Sequence, residues 1–437
     1  MLKLLFLLSK YVFMFTRLKL KQNELKVFRL HLLFSLIQGV ITGVFALNEL
    51  IFIKDMDASN YQLSILLQLS VLVMLVSIVA NEFLKRVSNK KKMLRWAALI
   101  THFPLLFIIL FPSSMTEYQN NNIYHYLFLG IFLFFYLNLV ITLPAINQML
   151  KNAYSYENFG KLYGYSSTAN KIVIIITTIL FGFWLDKHNY SFLYIYPIMG
   201  ILGVLSIFYL SKIPQIPHTP IPVRTSIVES LRNSLFFAFD VLKKNKAFLH
   251  FELGFMFYGF AWMVSTAVIP IYFNDVFKMN HATYGFYKNG YNLLAIILLP
   301  YFGGLIGRID ARKFGVITFG ALMLFSFLLA IAQYFPQSIE IGTIKIYFSL
   351  VLAYGFYGVF AATMALLWFI GSAYFCKKED TASYQSIHLT LTGMRGVLSF
   401  QIGIWLYFTF GYTTTFFIAT LSLFIAVILM IWSYKRT

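Results

Sequence analysis

Apolar runs of about twenty residues recur along nearly the whole chain, and they leave its backbone little choice. A helix rises 1.5 Å per residue, so about 20 residues cross a hydrocarbon core of roughly 30 Å. Inside lipid every N–H and C=O must find a partner within the protein, which selects helices here. The runs lie at 28–53, 62–84, 93–112, 123–149, 168–185, 191–211, 248–274, 283–307, 313–335, 344–375, 384–409 and 412–433. Several exceed a perpendicular crossing, so tilt or extension past the bilayer is expected. Composition agrees: 59% of the residues are hydrophobic and 12% charged, against about 25% charged in soluble domains. The expected fold is an all-α polytopic membrane protein of twelve transmembrane helices in two six-helix bundles.

The net charge of +19 would suggest nucleic acid in a soluble protein. Here no basic run alternates with aromatics, and the charges follow the loops. With the N-terminus inside, 29 of the 35 basic residues fall on the cytoplasmic side, counting Lys151, Lys161 and Lys171 with the third such stretch. Lys54, Lys187, Lys278, Lys288 and Lys345 fall outside, and Arg395 is left in the membrane. The positive-inside rule then places both termini in the cytoplasm, and the cell (inner) membrane is the expected location.

The chain divides into 1–27, 28–211, 212–247 and 248–437. The first piece is short, is interrupted by Lys10 and is followed by Arg17, Lys19, Lys21 and Lys26 instead of a small-residue cleavage site. It reads as an amphipathic segment on the cytoplasmic interface. The third is a cytoplasmic linker with Pro214, Pro217, Pro220 and Pro222, then an amphipathic stretch from Val228 to Leu242.

Several chemistries are excluded. The lone Cys376 allows neither a disulfide framework nor a cysteine metal cluster. The eight histidines are scattered, with no H-E-x-x-H, so neither metal nor cofactor is expected. There is no G-x-x-x-x-G-K-[ST] loop for ATP. No nucleophile–base arrangement marks an enzyme.

An internal repeat supports two related halves. Asn81 to Lys91 follows the second run and Gly303 to Lys313 follows the eighth, with Arg86 and Arg308 aligned 222 residues apart (308 minus 86). On these residues the chain resembles the major facilitator superfamily, whose loop motif reads Gly-x-Leu-Ala-Asp-Arg-x-Gly-Arg-Arg-Lys. The second copy keeps Gly303, Leu305, Arg308, Arg312 and Lys313, with Gly307 at the acidic position and Asp310 at the second glycine. The first copy has Asn81, Lys85 and Ser88 at the glycine, the aspartate and the second glycine. The resemblance implies a conformational role for Arg86, Gly303 and Arg308. The family's acidic interaction does not carry over to Lys85. Lys54, Ala58 and Ser59, with Leu391 to Gly396 (Leu-Thr-Gly-x-Arg-Gly), resemble a bacterial subgroup without an assigned substrate.

Arg395 lies about 12 residues into the eleventh run, roughly 18 Å deep. His388, Thr392 and Arg395 are spaced i, i+4, i+7 and share a face. That stripe suits an anionic substrate or a coupling proton; a helix-locking arginine and a solvated histidine are the alternatives. Glu49, with Gln38 and Thr42 on roughly the same face, is a candidate proton carrier or else a wet helix end. Glu252 opens the seventh run, as a gate or as a carboxylate favoured by the helix dipole. If a gate, its natural partner is Lys171 or His388. Lys288 is an outer gate with Glu49, or a snorkelling lysine. Gly39 and Gly43 allow close packing.

The expected function is a secondary active transporter moving a small solute by alternating access, proton-coupled, with an anionic solute favoured and symport or antiport left open. A flippase for lipids or lipid-linked substrates, and a non-transporting sensor or assembly factor on the same fold, are the alternatives. Expected partners are the solute, protons and the bilayer, with no nucleic acid, and the chain is expected to act as a monomer.

Overall fold

The computed structural model describes residues 21–75, 87, 89–154, 156–213, 226–306, 308–376 and 381–436. Arg86, most of the 1–27 segment and the linker prolines lie outside them. Among the described residues nine helices are long and apolar enough to cross a membrane. The last of these, Ile387–Arg436, holds two runs separated at Gly411, whose φ of 77° breaks the helix and favours glycine. The shorter Asn60–Leu75 and the helix His281–Ile306 complete the series of twelve.

We number the spans α1 (Gln22–Phe45), α2 (Asn60–Leu75), α3 (Lys90–His102, continued by a 3-10 stretch Phe103–Leu110), α4 (Ile123–Ala153), α5 (Tyr156–Lys187) and α6 (Phe192–Leu210). They continue as α7 (Lys246–Asp275), α8 (His281–Ile306), α9 (Ala311–Ala332), α10 (Phe348–Ile370), α11 (381–410) and α12 (412–436). The amphipathic part of the linker is a helix, Ile227–Lys244, capped by Ser226, whose hydroxyl accepts from the Glu229 N–H at 3.1 Å.

Two differences from the sequence expectation have clear causes. First, α5 begins at Tyr156, well before residue 168. Hydropathy detects only the part of a helix that lipid surrounds, whereas helical hydrogen bonding runs on past it. Lys171, counted above with a loop, is therefore inside α5. Second, Ile344 to Tyr347 begin no helix. They form β2, paired antiparallel with β1 (Ser338–Ile341) in a hairpin with Glu340 opposite Lys345. The alternation of Ile339, Ile341, Ile344 and Ile346 has period two, and Gly342 supplies the turn with φ 64°.

By contact the chain groups into two compact units, Met1–Asn48 with Val76–Arg224, and Glu49–Leu75 with Thr225–Thr437. In the first unit α1 packs on α5. A Cβ added at Gly39 would meet the Asn170 carbonyl at 2.9 Å, and one at Gly43 would meet the Ile174 carbonyl at 2.9 Å. These two glycines therefore set the closeness of the helices. The Thr178 hydroxyl donates to the Gly43 carbonyl at 2.8 Å. In the second unit α7 and α2 both pack on α11, and α9 packs on α12.

Candidate functional site

In the second unit a buried polar cluster spans α7, α10 and α11. Glu252 lies about two turns after the α7 cap, Asn245, and Phe255 and Gly259 follow at i+3 and i+7 on the same face. His388 meets that face from α11. Its Nδ1 lies 3.0 Å and 3.1 Å from the two Glu252 carboxylate oxygens, and both side chains are almost wholly buried, at 1% and 2% exposed. The imidazole is held edge-on by Phe255 at 4.6 Å and Trp368 at 4.7 Å between ring centroids. The Thr392 hydroxyl donates to the His388 carbonyl at 2.9 Å, so it serves its own helix.

Two turns on from His388, Arg395 crosses to α7. Its Nη1 donates to the Phe255 carbonyl at 2.6 Å, and its guanidinium carbon lies 5.6 Å from the Tyr258 ring and 5.8 Å from that of Trp368. Both distances suit a cation on an aromatic face. The guanidinium occupies the space that a side chain at Gly259 would fill. Two buried nitrogens in this cluster have no hydrogen-bond partner, Arg395 Nε and His388 Nε2. Glu252 is within electrostatic range of Arg395 but not bonded to it. The cluster thus holds one carboxylate, one guanidinium and one imidazole. On its other side Arg395 borders an open groove of about 520 Å³ lined by Met256, Phe260, Met394 and Leu398.

At the far ends of these helices the second unit has another charged group. Lys288 of α8 pairs with Glu49, and the Tyr284 hydroxyl donates to the same carboxylate at 2.6 Å. Nearby, His281 Nε2 meets Asp55 at 2.9 Å and Lys54 donates to the Met279 carbonyl at 3.1 Å.

The Major Facilitator Superfamily sequence model matches residues 30–367. The chain belongs to the Major Facilitator Superfamily. No curated protein matches the sequence. Solved structures with the same fold include a POT family transporter in complex with 5-aminolevulinic acid, with 13% identity and TM-score 0.71 over 97% of this chain and 98% of that one. A mutant of the nucleoside transporter NupG matches with 14% identity and TM-score 0.67 over 95% and 100% of the two chains. A D-xylose-proton symporter matches with 15% identity and TM-score 0.65 over 93% and 96%. This superfamily member is accordingly a multi-pass membrane protein and a secondary transporter, not an enzyme.

The superfamily loop motif is described only in its second copy. Gly303 lies in open surroundings and Arg308 is exposed, its side chain making no hydrogen bond or ion pair among the described residues. Arg312 makes the polar contacts instead. Its Nε and Nη2 donate to Asp310 at 3.0 Å each, and its Nη1 donates to the Ser433 carbonyl at 2.9 Å and hydroxyl at 3.1 Å. Asp310 also caps α9, accepting from the Arg312 N–H at 2.7 Å.

Of the residues named from sequence, His388, Thr392, Arg395 and Glu252 come together, as do Glu49 and Lys288. Gln38 and Lys171 lie in the first unit, where Gln38 Nε2 donates to the Ser206 hydroxyl at 3.0 Å. Sequence reasoning missed Tyr258, Gly259 and Tyr284. Gly259 stands seven residues from Glu252 on one helix face, yet as one of 25 glycines it carried no signal by itself, and neither did Tyr258. Tyr284 carried none, being one of 29 tyrosines.

Proposed function

We propose that this protein moves a small organic anion across the membrane with a proton, and that the Glu252–His388–Arg395 cluster is its substrate and coupling site. The observation that carries the reading is the pair of buried, unpartnered nitrogens, Arg395 Nε and His388 Nε2, beside a single carboxylate. With His388 neutral, Glu252 and Arg395 balance. A proton on Nε2 leaves the cluster one positive charge in excess, which favours an anion. Proton and anion therefore raise each other's affinity, the linkage a symporter needs. A symporter of a solute with a proton, the D-xylose-proton symporter, is among the structural neighbours.

Glu49 is assigned to an outer gate with Lys288 instead of to proton transfer, because a cation and a tyrosine hydroxyl already engage its carboxylate. The cytoplasmic gate role falls to Glu252 with His388, which leaves Lys171 free for another task. The reading takes the protein as a monomer of the inner membrane, and the distribution of basic residues supports cytoplasmic termini. A second reading draws on the apolar groove beside Arg395: a solute with an apolar body, extending to a lipid or lipid-linked anion.

The test is a thermal-stabilisation screen of carboxylates, phosphate monoesters and neutral solutes on purified protein, followed by uptake in proteoliposomes. An anion is expected to stabilise the wild type but not Arg395→Gln, and its stabilisation should strengthen as pH falls in wild type but not in His388→Gln. An anion that stabilises wild type and Arg395→Gln equally would overturn the assignment. Uptake indifferent to a proton gradient and an uncoupler would remove the coupling.

A further inference from the structure

The first unit contains a cavity that the Arg395 reading does not use. It is about 300 Å³, lies among α1, α4 and α5, and is lined by His31, Ser35, Gln38, Ser167, Asn170 and Lys171, with Phe34 and Tyr163 among its apolar walls. Lys171 stands out. It lies six residues inside the apolar stretch Tyr165–Lys187, roughly 9 Å along the helix. Its side chain is exposed and lines the cavity, and a cation within a membrane-spanning helix is costly unless a partner or water meets it. Carboxylates normally offset such a cost, but among the described residues Lys171 has no ion pair or hydrogen bond, and no acidic residue lines the cavity.

The other polar walls are committed in a way that leaves donors for a ligand. Asn170 Nδ2 donates to the Ser35 carbonyl at 2.7 Å, which holds α5 to α1 and fixes Lys171 beside it. His31 is buried, with Nδ1 3.1 Å from the Tyr154 hydroxyl and 3.4 Å from that of Ser166. With Nδ1 accepting from Tyr154, Nε2 carries the proton and is a donor. The Ser167 hydroxyl and the Lys171 ammonium add two more. A cation and several donors without an acidic acceptor describe a site for an anion. The volume sits at the lower end for small-molecule pockets, and the Phe34 and Tyr163 rings suit an apolar body.

We propose that this cavity is an anion-binding site of the first unit, taking a small organic anion, a carboxylate or a phosphate monoester, through Lys171 with Ser167 and His31. It stands independently of the Arg395 cluster, and a test exists that separates the two. Cys376 is the chain's one cysteine, so Cys376→Ser provides a thiol-free background into which Ser167→Cys places a reporter on the cavity wall. Its rate of modification by an anionic sulfonatoethyl methanethiosulfonate is compared with that of a cationic trimethylammonioethyl methanethiosulfonate, each normalised to its rate with free thiol.

A preference for the anionic reagent of at least about fivefold is expected from a nearby ammonium in a partly desolvated site. Lys171→Gln should abolish it, Lys171→Arg should keep it, and Arg395→Gln should leave it unchanged. Benzoate and phenyl phosphate, added as protectants, identify the head group: slowing by one or the other in Lys171 protein but not in Lys171→Gln supports the site. The proposal is overturned if position 167 is unreactive, if the charge preference is absent or survives Lys171→Gln in protein that elutes as folded, or if neither protectant slows labelling. A preference that vanishes with Arg395→Gln would instead assign the anion to the other cluster and equally overturn it.

Discussion

At the scale of single residues the site depends on an absence as much as on a charge. Gly259 has no side chain where the Arg395 guanidinium lies, and a Cβ built there would overlap its Nε, Cζ and Cδ. Gly259→Ala should push the guanidinium off the Phe255 carbonyl, at about 1–3 kcal/mol for overpacking. The expected outcome is a lower Tm and loss of anion-dependent stabilisation, read in the same thermal assay. Gly320→Ala is the control, because nothing lies within 4 Å of a Cβ at that position. That change should be neutral or stabilise by up to about 1 kcal/mol through helix propensity. Combining Gly259→Ala with Arg395→Ala should cost less than the two changes added, since they disturb one contact. Arg395 was legible in the sequence because a cation within an apolar run is expensive. Its seat was not, because one glycine among 25 gains meaning only when another helix is laid against it.

At the scale of elements, α11 shows how one short motif serves two neighbours. Thr392 and Arg395 lie on the face toward α7 and α10. Gly393 and Gly396 lie on another face, where added Cβ atoms would run into Leu75 and Val71 of α2. Gln68 of α2 joins the same contact through the Val397 carbonyl and Gln401. The Leu-Thr-Gly-x-Arg-Gly pattern is therefore a helix seam and part of the proposed site at once, and periodicity alone could place its residues but not name the partner of either face. The start of α9 was less legible still. Asp310 sits where the superfamily motif has glycine, yet it caps the helix and holds Arg312 against Ser433 near the end of α12. Burial alone would raise the Asp310 carboxyl, but the Arg312 hydrogen bonds and charge outweigh it and hold the group below the usual carboxylate range. A folded pKa below the unfolded one means the contribution is present above about pH 4 and fades as pH falls through the folded value. Asp310→Asn keeps a capping oxygen but removes the charge facing Arg312, so it should lower Tm at pH 7 by the equivalent of at most about 1 kcal/mol. The gap to wild type should close as pH is taken below 4. A gap that stays constant across that range would show that the carboxylate charge is not what matters.

At the scale of the whole molecule, the number of spans and the membrane environment were legible because both follow from the length and polarity of apolar runs. The grouping of spans was not, because it depends on which faces meet. Of the first six spans, α2 is the one that groups with the second half of the chain, and the segment leading into it carries Glu49, Lys54 and Asp55, all bonded to α8 or to the turn before it. Hydropathy is blind to such pairings. An outer gate built on Glu49 and Lys288 makes a charge-swap prediction. The two side chains are 15% and 30% exposed, so the pair should fall between an exposed bridge, worth at most about 1 kcal/mol, and a buried one, whose disruption costs about 3–5 kcal/mol. Glu49→Lys alone places two cations together, and Lys288→Glu alone places two carboxylates together beside the Tyr284 hydroxyl. Each should lower Tm by several degrees and raise the reactivity of a cysteine placed at Tyr61 in the Cys376→Ser background, as the contact between the α2 lead-in and α8 loosens. The double swap restores opposite charges at the same two positions and should recover most of both readouts. If the double variant is no better than the worse single one, the pair does not hold this end of α8 to the segment before α2, and the gate assignment fails with it.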